Sequence, residues 1–378
     1  MPDSNGHSQD NRRAGGERPR RGGRRARGRG DGAIAALDLG TNNCRLLVAN
    51  PEGDGFAVLD AFSRAVRLGE GVESTNWLSE EAQDRALKAL RICAGKIRRH
   101  RVRDSRVVAT EACRRARNGR DFVRRVVRET GLSMDIITAE EEARLAVAGC
   151  APLTDPEAEQ LLVFDIGGGS TELIWIDMSG TPVGRRQNLV RALAPLGRGQ
   201  DVTATARAAA AHISDWISVP MGVSTLHERF SDIANDAERY AMMSLHFEER
   251  LAPFGPYDAF DRTGLTDRLQ IIGVSGTATT FGAMHLGLQS YDRAQVDGLW
   301  LPAGAAAEVA DSLVQMGAAD RALHPGIGRG RSELVISGSA ILMTILRLWP
   351  VDRLRIADRG LREGILYGLI QARRDRAS

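Results

Sequence analysis

No run of apolar residues in this sequence is long enough to cross a bilayer. A membrane-spanning helix needs about 20 predominantly apolar residues. The longest candidate, residues 335–346, is interrupted by Ser337, Gly338, Ser339 and Thr344. Such an interrupted run is typical of a buried helix, so we expect no membrane-spanning segment.

Cysteine and histidine are scarce and scattered. The four cysteines form no Cys-x-x-Cys pair, and the seven histidines form no His-Glu-x-x-His motif or His-Asp dipeptide. These absences argue against a zinc site or a disulfide scaffold, and they predict reduced thiols in a cytoplasmic protein. The sequence also lacks the Gly-x-Ser-x-Gly and P-loop motifs, which excludes the serine-hydrolase and P-loop classes. The cysteines are Cys44, Cys93, Cys113 and Cys150.

The positive charge is concentrated at the N-terminus. Residues 1–32 contain nine Arg and four acidic residues, which leaves 42 basic and 44 acidic residues for the rest of the chain. This segment has almost no large apolar residues, so we predict that it is disordered. The stretch 20–29 resembles an Arg/Gly-rich segment that contacts RNA or polyphosphate through charge, although a solvated tail without a specific partner fits as well. No apolar region follows the arginines, which argues against twin-arginine export.

A glycine-rich turn lies between two apolar runs near the middle of the chain. Short apolar runs separated by glycines predict two buried strands joined by a tight turn. The N–H groups of such a turn can surround an anion, and the flanking carboxylates can hold a divalent cation on it. An ordinary β-hairpin explains this motif alone equally well. The motif comprises Asp165, Gly167, Gly168, Gly169, Ser170, Thr171 and Glu172.

The same pattern occurs earlier, in residues 33–49. Asp38 corresponds to Asp165 and Gly40 to Gly167, at an offset of 127 residues. The flanking periodicity predicts the order βββαβαβα, ending in a helix opened by the Thr138 capping box. Two copies predict a duplicated phosphate-binding unit.

We predict two domains after the N-terminal tail of residues 1–32. The first spans residues 33–150 and the second 151–378, with a linker at 151–159 that contains two prolines and three acidic residues. In the second domain the pattern predicts a third strand at 183–190 and becomes weaker beyond Gln187.

Six motifs, in order along the chain, resemble the Ppx/GppA family of exopolyphosphatases and guanosine pentaphosphate phosphohydrolases. The resemblance covers residues 33–372 and implies an α/β fold of the duplicated actin-like (ribonuclease H-like) ATPase type. In that fold two domains flank a cleft, and the last helix is free to pack back on the first domain. The motifs are Ala36–Asn42, Val108–Asn118, Glu141–Leu145, Phe164–Glu172, Gly273–Thr277 and Asp358–Gly364.

The resemblance implies hydrolysis of a terminal phosphoanhydride bond with Mg²⁺. It assigns Glu142 as the catalytic base, whereas the residues alone fit a helix N-terminal carboxylate. It assigns Arg114 to stabilise the transferred phosphoryl group, whereas a solvated arginine is the plain alternative. The expected phosphate-binding residues are Gly40, Thr41, Asn42, Gly167, Gly168, Gly169, Ser170 and Thr171. The expected Mg²⁺ ligands are Asp38, Asp165 and Glu172, and Ser275, Gly276 and Thr277 are expected to line the cleft.

The chain also departs from long family members. It ends about fourteen residues after Gly364, without their additional C-terminal helical domains, so processive action on long polyphosphate is in doubt. Residues 187–260 follow the family only loosely, which leaves the substrate contacts there undefined. The basic run Arg98, Arg99, His100, Arg101 and Arg103 is consistent either with binding a polyanion or with ordinary solvated surface.

The leading hypothesis is an exopolyphosphatase-type hydrolase that releases orthophosphate from polyphosphate. A rival in the same family converts pppGpp to ppGpp. More remote alternatives are an ATP-dependent kinase or ATPase of the superfamily, and a non-enzymatic polyanion- or RNA-binding protein led by the arginine-rich tail. A homodimer is a weaker expectation that comes from the family alone.

Overall fold

The computed structural model describes residues 32–53, 55–194, 204–256, 268–328 and 331–377. Apart from Gly32, the predicted N-terminal tail lies outside these residues. Two mixed sheets organise the chain, and helices cover their faces. No helix in the described residues is long and apolar enough to span a membrane.

The first sheet has five strands in the order β3-β2-β1-β4-β5. The first three form an antiparallel meander, and β4 and β5 continue the sheet parallel to β1. The strands are β1 (Ile34–Leu39), β2 (Asn43–Glu52), β3 (Gly55–Ala65), β4 (Asp104–Ala109) and β5 (Met134–Ile136).

The second sheet repeats this arrangement and adds one edge strand, in the order β10-β11-β9-β6-β7-β8. Its first three strands are an antiparallel meander, β9 and β11 run parallel to β6, and β10 is antiparallel to β11. The predicted duplicated actin-like α/β fold is therefore confirmed. The strands are β6 (Gln160–Ile166), β7 (Thr171–Asp177), β8 (Ile213–Val219), β9 (Leu269–Val274), β10 (Trp300–Pro302) and β11 (Arg353–Ala357).

Helices connect the strands in both halves. The first half contains α1 (Val72–Thr75), α2 (Glu80–Arg99), α3 (Glu111–Arg115), α4 (Gly119–Thr130) and α5 (Ala139–Gly149). The rest of the chain contains α6 (Arg186–Ala192), α7 (Ala204–Ala210), α8 (Val223–Arg229), α9 (Asp236–Glu249), α10 (Ser275–His285), α11 (Arg293–Val296), α12 (Ala303–Gln315), α13 (Ala318–Leu323), α14 (Val335–Leu348) and α15 (Leu361–Ala377). Short 3₁₀ turns occur at 151–153 and 183–185.

The predicted strand at 183–190 is wrong. This stretch forms a 3₁₀ turn followed by α6, and the third strand of the second sheet is β8. Val190 packs into the second-sheet core, while the buried Arg186 guanidinium donates hydrogen bonds to the backbone oxygens of Thr181 and Pro156. These bonds satisfy the arginine inside the fold and hold α6 against the preceding loop.

Two crossing helices, α5 and α15, separate the sheets. The C-terminal helix α15 packs on the first sheet, where Leu361, Ile365 and Ile370 join a core with Ile34. Helix α5 contacts β7 and β8 of the second sheet. Helix α5, from the first half of the chain, thus covers the second sheet, and α15, from the second half, covers the first sheet.

The two helices approach too closely for side chains at the crossing. A Cβ atom on Gly149 would lie 1.9 Å from the Gly360 carbonyl oxygen, and one on Gly364 would lie 2.0 Å from the Leu145 oxygen. Both are far inside van der Waals contact. Glycine at 149 and 364 is therefore what allows this crossing.

Candidate active site

The site forms where the first strand of each sheet ends. Asp38 lies near the end of β1 and Asp165 near the end of β6, and each is followed by a tight turn. The two turns touch: a Cβ atom on Gly168 would lie 2.8 Å from Asn42 Nδ2 and 3.1 Å from Thr41 Cβ. Only a residue without a side chain fits there, so the second turn needs its glycine to meet the first.

The backbone of the glycine-rich turn is anchored on α8. The Gly167 oxygen accepts from Val223 N at 2.9 Å, and the Gly168 oxygen accepts from Ser224 N at 2.8 Å. The N–H and C=O of a trans peptide point in opposite directions. The N–H groups of Gly168 and Gly169 therefore point away from α8, as they must to bind an anion in the cleft.

The predicted phosphate-binding side chains have different surroundings. The Thr171 hydroxyl is fully buried and donates to the Met221 oxygen at 2.7 Å, so it supports the turn from behind. Asn42 Nδ2 donates to Ser224 Oγ at 2.9 Å, which links the first turn to α8. Gly40 N closes its own turn by donating to the Asn43 oxygen at 2.9 Å.

Ser170 and Thr41 complete this group. Ser170 is buried and its hydroxyl hydrogen-bonds Glu172. Thr41 lines a small cavity together with Glu111 and Gly169.

Glu142 and Arg114 form a directly bonded pair. The Thr138 hydroxyl caps α5 by accepting from Glu141 N at 3.1 Å, which places Glu142 in the first turn of the helix. Arg114 Nη1 donates to Glu142 Oε2 at 3.0 Å and to the Ile137 oxygen at 2.9 Å.

A second carboxylate, Glu111, accepts from Arg114 Nη2 at 2.6 Å and from Nε at 3.0 Å. The Arg114 side chain is only 22% exposed. The plain alternative of a solvated arginine is therefore wrong, because the guanidinium is fixed by three partners.

Burial raises the pKa of four carboxyl groups in this region. Burial and then the charge of Glu172 raise the pKa of Glu142 well above its usual value, although Arg114 opposes the shift. Burial raises the pKa of Glu172 to about 7, against hydrogen bonds from Ser170 and Ser218.

The aspartates behave similarly. Burial raises the pKa of Asp165 to about 6, with Arg45 lowering it and Asp38 adding to the rise. Burial also raises the pKa of Asp38, and Arg45 and Arg362 oppose this. The pKa values of Asp165 and Glu172, about 6 and about 7, lie near neutral pH, the range that suits acid–base work.

The donor set fits Mg²⁺ with an incomplete protein shell. Within the described ranges, no three His, Cys, Asp or Glu side chains are grouped closely enough to ligate a metal by themselves. Mg²⁺ usually keeps several waters and takes one or two carboxylates plus phosphate oxygens. Asp38 and Asp165 are half-buried, and the charge of Asp38 raises the pKa of Asp165. A cation beside these two carboxylates would relieve that repulsion.

Ser275, Gly276 and Thr277 lie at the turn from β9 into α10, and each of the three makes a different contact. Ser275 has a left-handed backbone (φ 87°), and its hydroxyl donates to the Ile166 oxygen at 2.7 Å. The Gly276 oxygen accepts from Arg331 Nη1 at 3.2 Å. A Cβ atom on Gly338 would lie 2.5 Å from Thr277 Oγ1, so Thr277 packs against α14.

Sequence reasoning missed Arg45, whose charge acts on Asp38, Asp165 and Arg331. In β2, Arg45 is directly opposite Asp38, just as Glu172 is opposite Asp165 in the second sheet. The offset of 127 residues between the repeats also maps 45 onto 172, so the duplication itself contained the signal. The two halves therefore place opposite charges at equivalent positions.

The family model described as the Ppx/GppA phosphatase family matches residues 47–373. A solved structure of the Aquifex aeolicus PPX-GPPA enzyme is 27% identical, with a TM-score of 0.67, and the match covers 89% of this chain and 99% of that one. An exopolyphosphatase-like protein is 28% identical, with a TM-score of 0.71 and coverage of 89% and 97%. An exopolyphosphatase from Cytophaga hutchinsonii shares the fold, with 24% identity, a TM-score of 0.74 and coverage of 90% and 98%.

Proposed function

Because the chain belongs to the Ppx/GppA phosphatase family, we propose that it is a hydrolase that releases terminal orthophosphate from inorganic polyphosphate. The observation that carries the proposal is the largely buried Glu142 carboxylate, held 3.0 Å from Arg114. Glu111, the other carboxylate that Arg114 binds, lies against Gly169 of the glycine-rich turn. The pairing of Glu142 with Arg114 supplies a candidate base and a cation for the transferred group in one place.

In the proposed reaction a water molecule attacks the terminal phosphorus atom. Glu142 accepts a proton from the water as the new O–P bond forms and the bridging O–P bond breaks. Arg114 balances charge on the phosphoryl oxygens, and the N–H groups of Gly168 and Gly169 orient them. The shortened chain leaves with the bridging oxygen.

Asp38 and Asp165 would hold Mg²⁺, with Glu172 orienting its water ligands. When bound, the cation supplies charge neutralisation on the phosphate oxygens. The protein contributes the fixed, buried carboxylates and a turn whose carbonyl oxygens are tied back to α8.

Removal of the terminal phosphate of pppGpp is the second candidate within the family. It uses the same base and the same turn, and the two substrates differ only in the group that carries the terminal phosphates. A cytoplasmic location is part of the proposal, since the four cysteines are buried free thiols.

Phosphate release from polyphosphate of several lengths, pppGpp and ATP, with and without Mg²⁺, tests the proposal. We expect Mg²⁺-dependent release from polyphosphate in the parent protein. Preference for ATP, with the phosphate passed to a small acceptor, would overturn the hydrolase proposal. Faster release from pppGpp than from polyphosphate would favour the second candidate.

Glu142→Gln should reduce release by at least about a thousandfold, since it removes the base without changing side-chain size. Glu140→Gln is the matched control, because Glu140 lies in the same helical turn with a side chain that is 51% exposed. Full activity in Glu142→Gln would remove Glu142 as the base.

A further inference from the structure

Four arginines at the end of α2 form an exposed basic surface, which we call the distal arginine face. Arg98, Arg99, Arg101 and Arg103 are all exposed. Within the described part of the chain, none of them has an acidic side chain within ion-pair distance. The four arginines lie within a stretch of six residues. Four like charges so close together and without paired acids repel one another and attract a polyanion.

The nearest acidic groups are already neutralised by other cations. Asp60 accepts from Lys96 Nζ at 2.8 Å and from His100 Nε2 at 2.9 Å. Asp104 accepts from Arg373 Nε at 2.6 Å, and Arg376 lies 3.9 Å from its other oxygen. Local acids therefore do not cancel the charge of the distal arginine face.

The backbone at Arg101 has a conformation that favours glycine. Helix α2 ends in a Schellman motif, in which Val102 N donates to the Ile97 oxygen and Arg101 N donates to the Arg98 oxygen. This motif puts Arg101 in the left-handed region with φ of 50°. A side chain costs about 1 kcal/mol there relative to glycine.

Other helix ends of this chain avoid that cost. Helix α4 ends at Gly131 with φ of 73°, and α1 ends at Asn76 with φ of 58°. Glycine at position 101 would avoid this cost, whereas arginine adds a positive charge at the negative end of the helix dipole. Its charge is the property that distinguishes it.

The distal arginine face lies at the opposite end of the first sheet from the active site. Asp104, which follows Arg103, pairs with Ile34 at the start of β1, whereas Asp38 lies near the end of that strand. Along β1, Asp38 lies four residues beyond Ile34, a distance of roughly 13 Å. The face therefore does not belong to the catalytic site.

The backbone of the distal arginine face is tied to the start of β1. Arg103 N donates to the Ala33 oxygen at 2.9 Å, and a Cβ atom on Gly32 would lie 2.6 Å from Arg103 Cδ. These contacts hold Arg103 at the edge of the first sheet.

We propose that the distal arginine face binds inorganic polyphosphate as an accessory site and holds long chains on the enzyme. Binding of single-stranded nucleic acid relies on aromatic side chains that stack on bases. Residues 98–103 and 371–377 contain no Phe, Tyr or Trp, and the His100 ring is held by Asp60 at 2.9 Å. A polymer recognised by charge alone fits this surface. The choice of polyphosphate over other polyanions rests on the proposed function.

Binding of fluorescently labelled long-chain polyphosphate to the full-length Glu142→Gln protein tests the site without hydrolysis. Combining Arg98→Gln, Arg99→Gln, Arg101→Gly and Arg103→Gln should weaken binding by at least about tenfold. It should also flatten the salt dependence, because fewer counterions are released. The control combines Lys88→Gln, Arg120→Gln, Arg128→Gln and Arg250→Gln, which removes the same charge from exposed positions elsewhere.

Equal affinity of the two quadruple variants would overturn the proposal. Tighter binding of a single-stranded RNA homopolymer than of polyphosphate, lost in the same variant, would also overturn it and would identify a nucleic-acid site. Arg101→Gly alone should not lower the unfolding temperature, so weaker binding by that variant cannot come from unfolding.

Hydrolysis assays on proteins that keep Glu142 separate this proposal from the proposed function. We expect the first quadruple variant to have a KM raised several-fold for long chains, with tripolyphosphate turnover unchanged. If the parent releases no phosphate from polyphosphate, the proposed function fails, while the binding measurement still decides the site.

Discussion

Burial controls the chemistry of the carboxylates at the scale of single residues. The pKa of Asp165 is raised by burial to about 6. A folded-state value above the unfolded one means that the folded protein binds this proton more tightly. Ionisation of Asp165 therefore has no effect on stability below about pH 4 and destabilises the fold increasingly as pH rises through 6.

Asp165→Asn should stabilise the protein while abolishing phosphate release. At pH 8 the gain should be at most about 3 kcal/mol, because each unit of pKa shift corresponds to about 1.4 kcal/mol. The gain should shrink toward zero near pH 4. Denaturant unfolding in the presence of a chelator measures it, and a variant less stable than the parent at pH 8 would contradict the assignment.

Glu172→Gln should move the acid limb of the pH–rate profile to lower pH. The charge of Glu172 is the second cause of the raised pKa of Glu142, after burial. Removing that charge lowers the pKa of Glu142, so the base stays ionised in more acidic solution. The acid limb of kcat/KM should move in this direction even if the rate falls. An acid limb unchanged in position would show that the two groups are not coupled.

Residue types and the repeat point to Asp38 and Asp165, whereas Glu142 and Arg114 are assigned only through the family resemblance, and the remaining exceptions have physical reasons. The roles of Ser224 and Ser218 depend on β8 and α8, whose placement no local pattern indicates. Their hydroxyls bond Asn42 and Glu172, residues 182 and 46 positions away in the chain.

At the scale of secondary-structure elements, ion pairs join α1 and α3 to α8 across the cleft. Glu73 in α1 pairs with Arg115 in α3 and accepts from Arg229 Nη2 in α8 at 3.2 Å. Burial raises the pKa of Glu73, but the hydrogen bonds from these two arginines outweigh it and hold the pKa below its usual value. The interaction is therefore present above about pH 4.5 and is lost as pH falls below that.

Glu73→Gln should shift the protein toward an open cleft. Partly exposed ion pairs contribute about 0.5–1 kcal/mol, so the ratio of closed to open forms should fall about two- to fivefold. Distances between spectroscopic labels on the exposed faces of α4 and α9 report this ratio. A shift in the same direction in the parent as the pH falls through the depressed pKa of Glu73, and its absence in the variant, would confirm the direction. Identical distance distributions at neutral pH would refute it.

Sequence periodicity predicts elements well where one face is apolar and poorly where it is not. The capping residue Thr138 predicted the start of the helix that begins as α5 at Ala139. Strand β8 contains the apolar residues Ile213, Trp216, Ile217 and Val219, but Asp215 and Ser218 lie among them. These two polar residues bond Trp216 N and Glu172 only after folding, so the strand has no regular apolar alternation.

At the scale of the whole molecule, the crossing of α5 and α15 connects fold stability to catalysis. Glu142 lies on α5, and α15 contacts that helix where a Cβ on Gly364 would meet the Leu145 oxygen at 2.0 Å. Any change that separates the helices must move the base relative to the glycine-rich turn.

Gly364→Ala should destabilise the protein by about 1–3 kcal/mol and lower kcat at temperatures where the protein remains folded, because the added methyl group forces the helices apart. Gly95→Ala is the control: Gly95 lies within α2 with no atom within 4 Å of a Cβ position, so alanine should stabilise by up to about 1 kcal/mol. Thermal unfolding and phosphate release measure both effects. Equal stability of the two variants would contradict the close crossing.

The packing of α15 on the first sheet also has a consequence for biosynthesis. The core containing Ile34 and Val108 is completed by Leu361, Ile365 and Ile370. During translation, the second face of the first sheet must therefore stay uncovered until residues 361–370 have left the ribosome. Strands made early are thus enclosed late, and their apolar face is exposed to aggregation and to chaperones in the meantime.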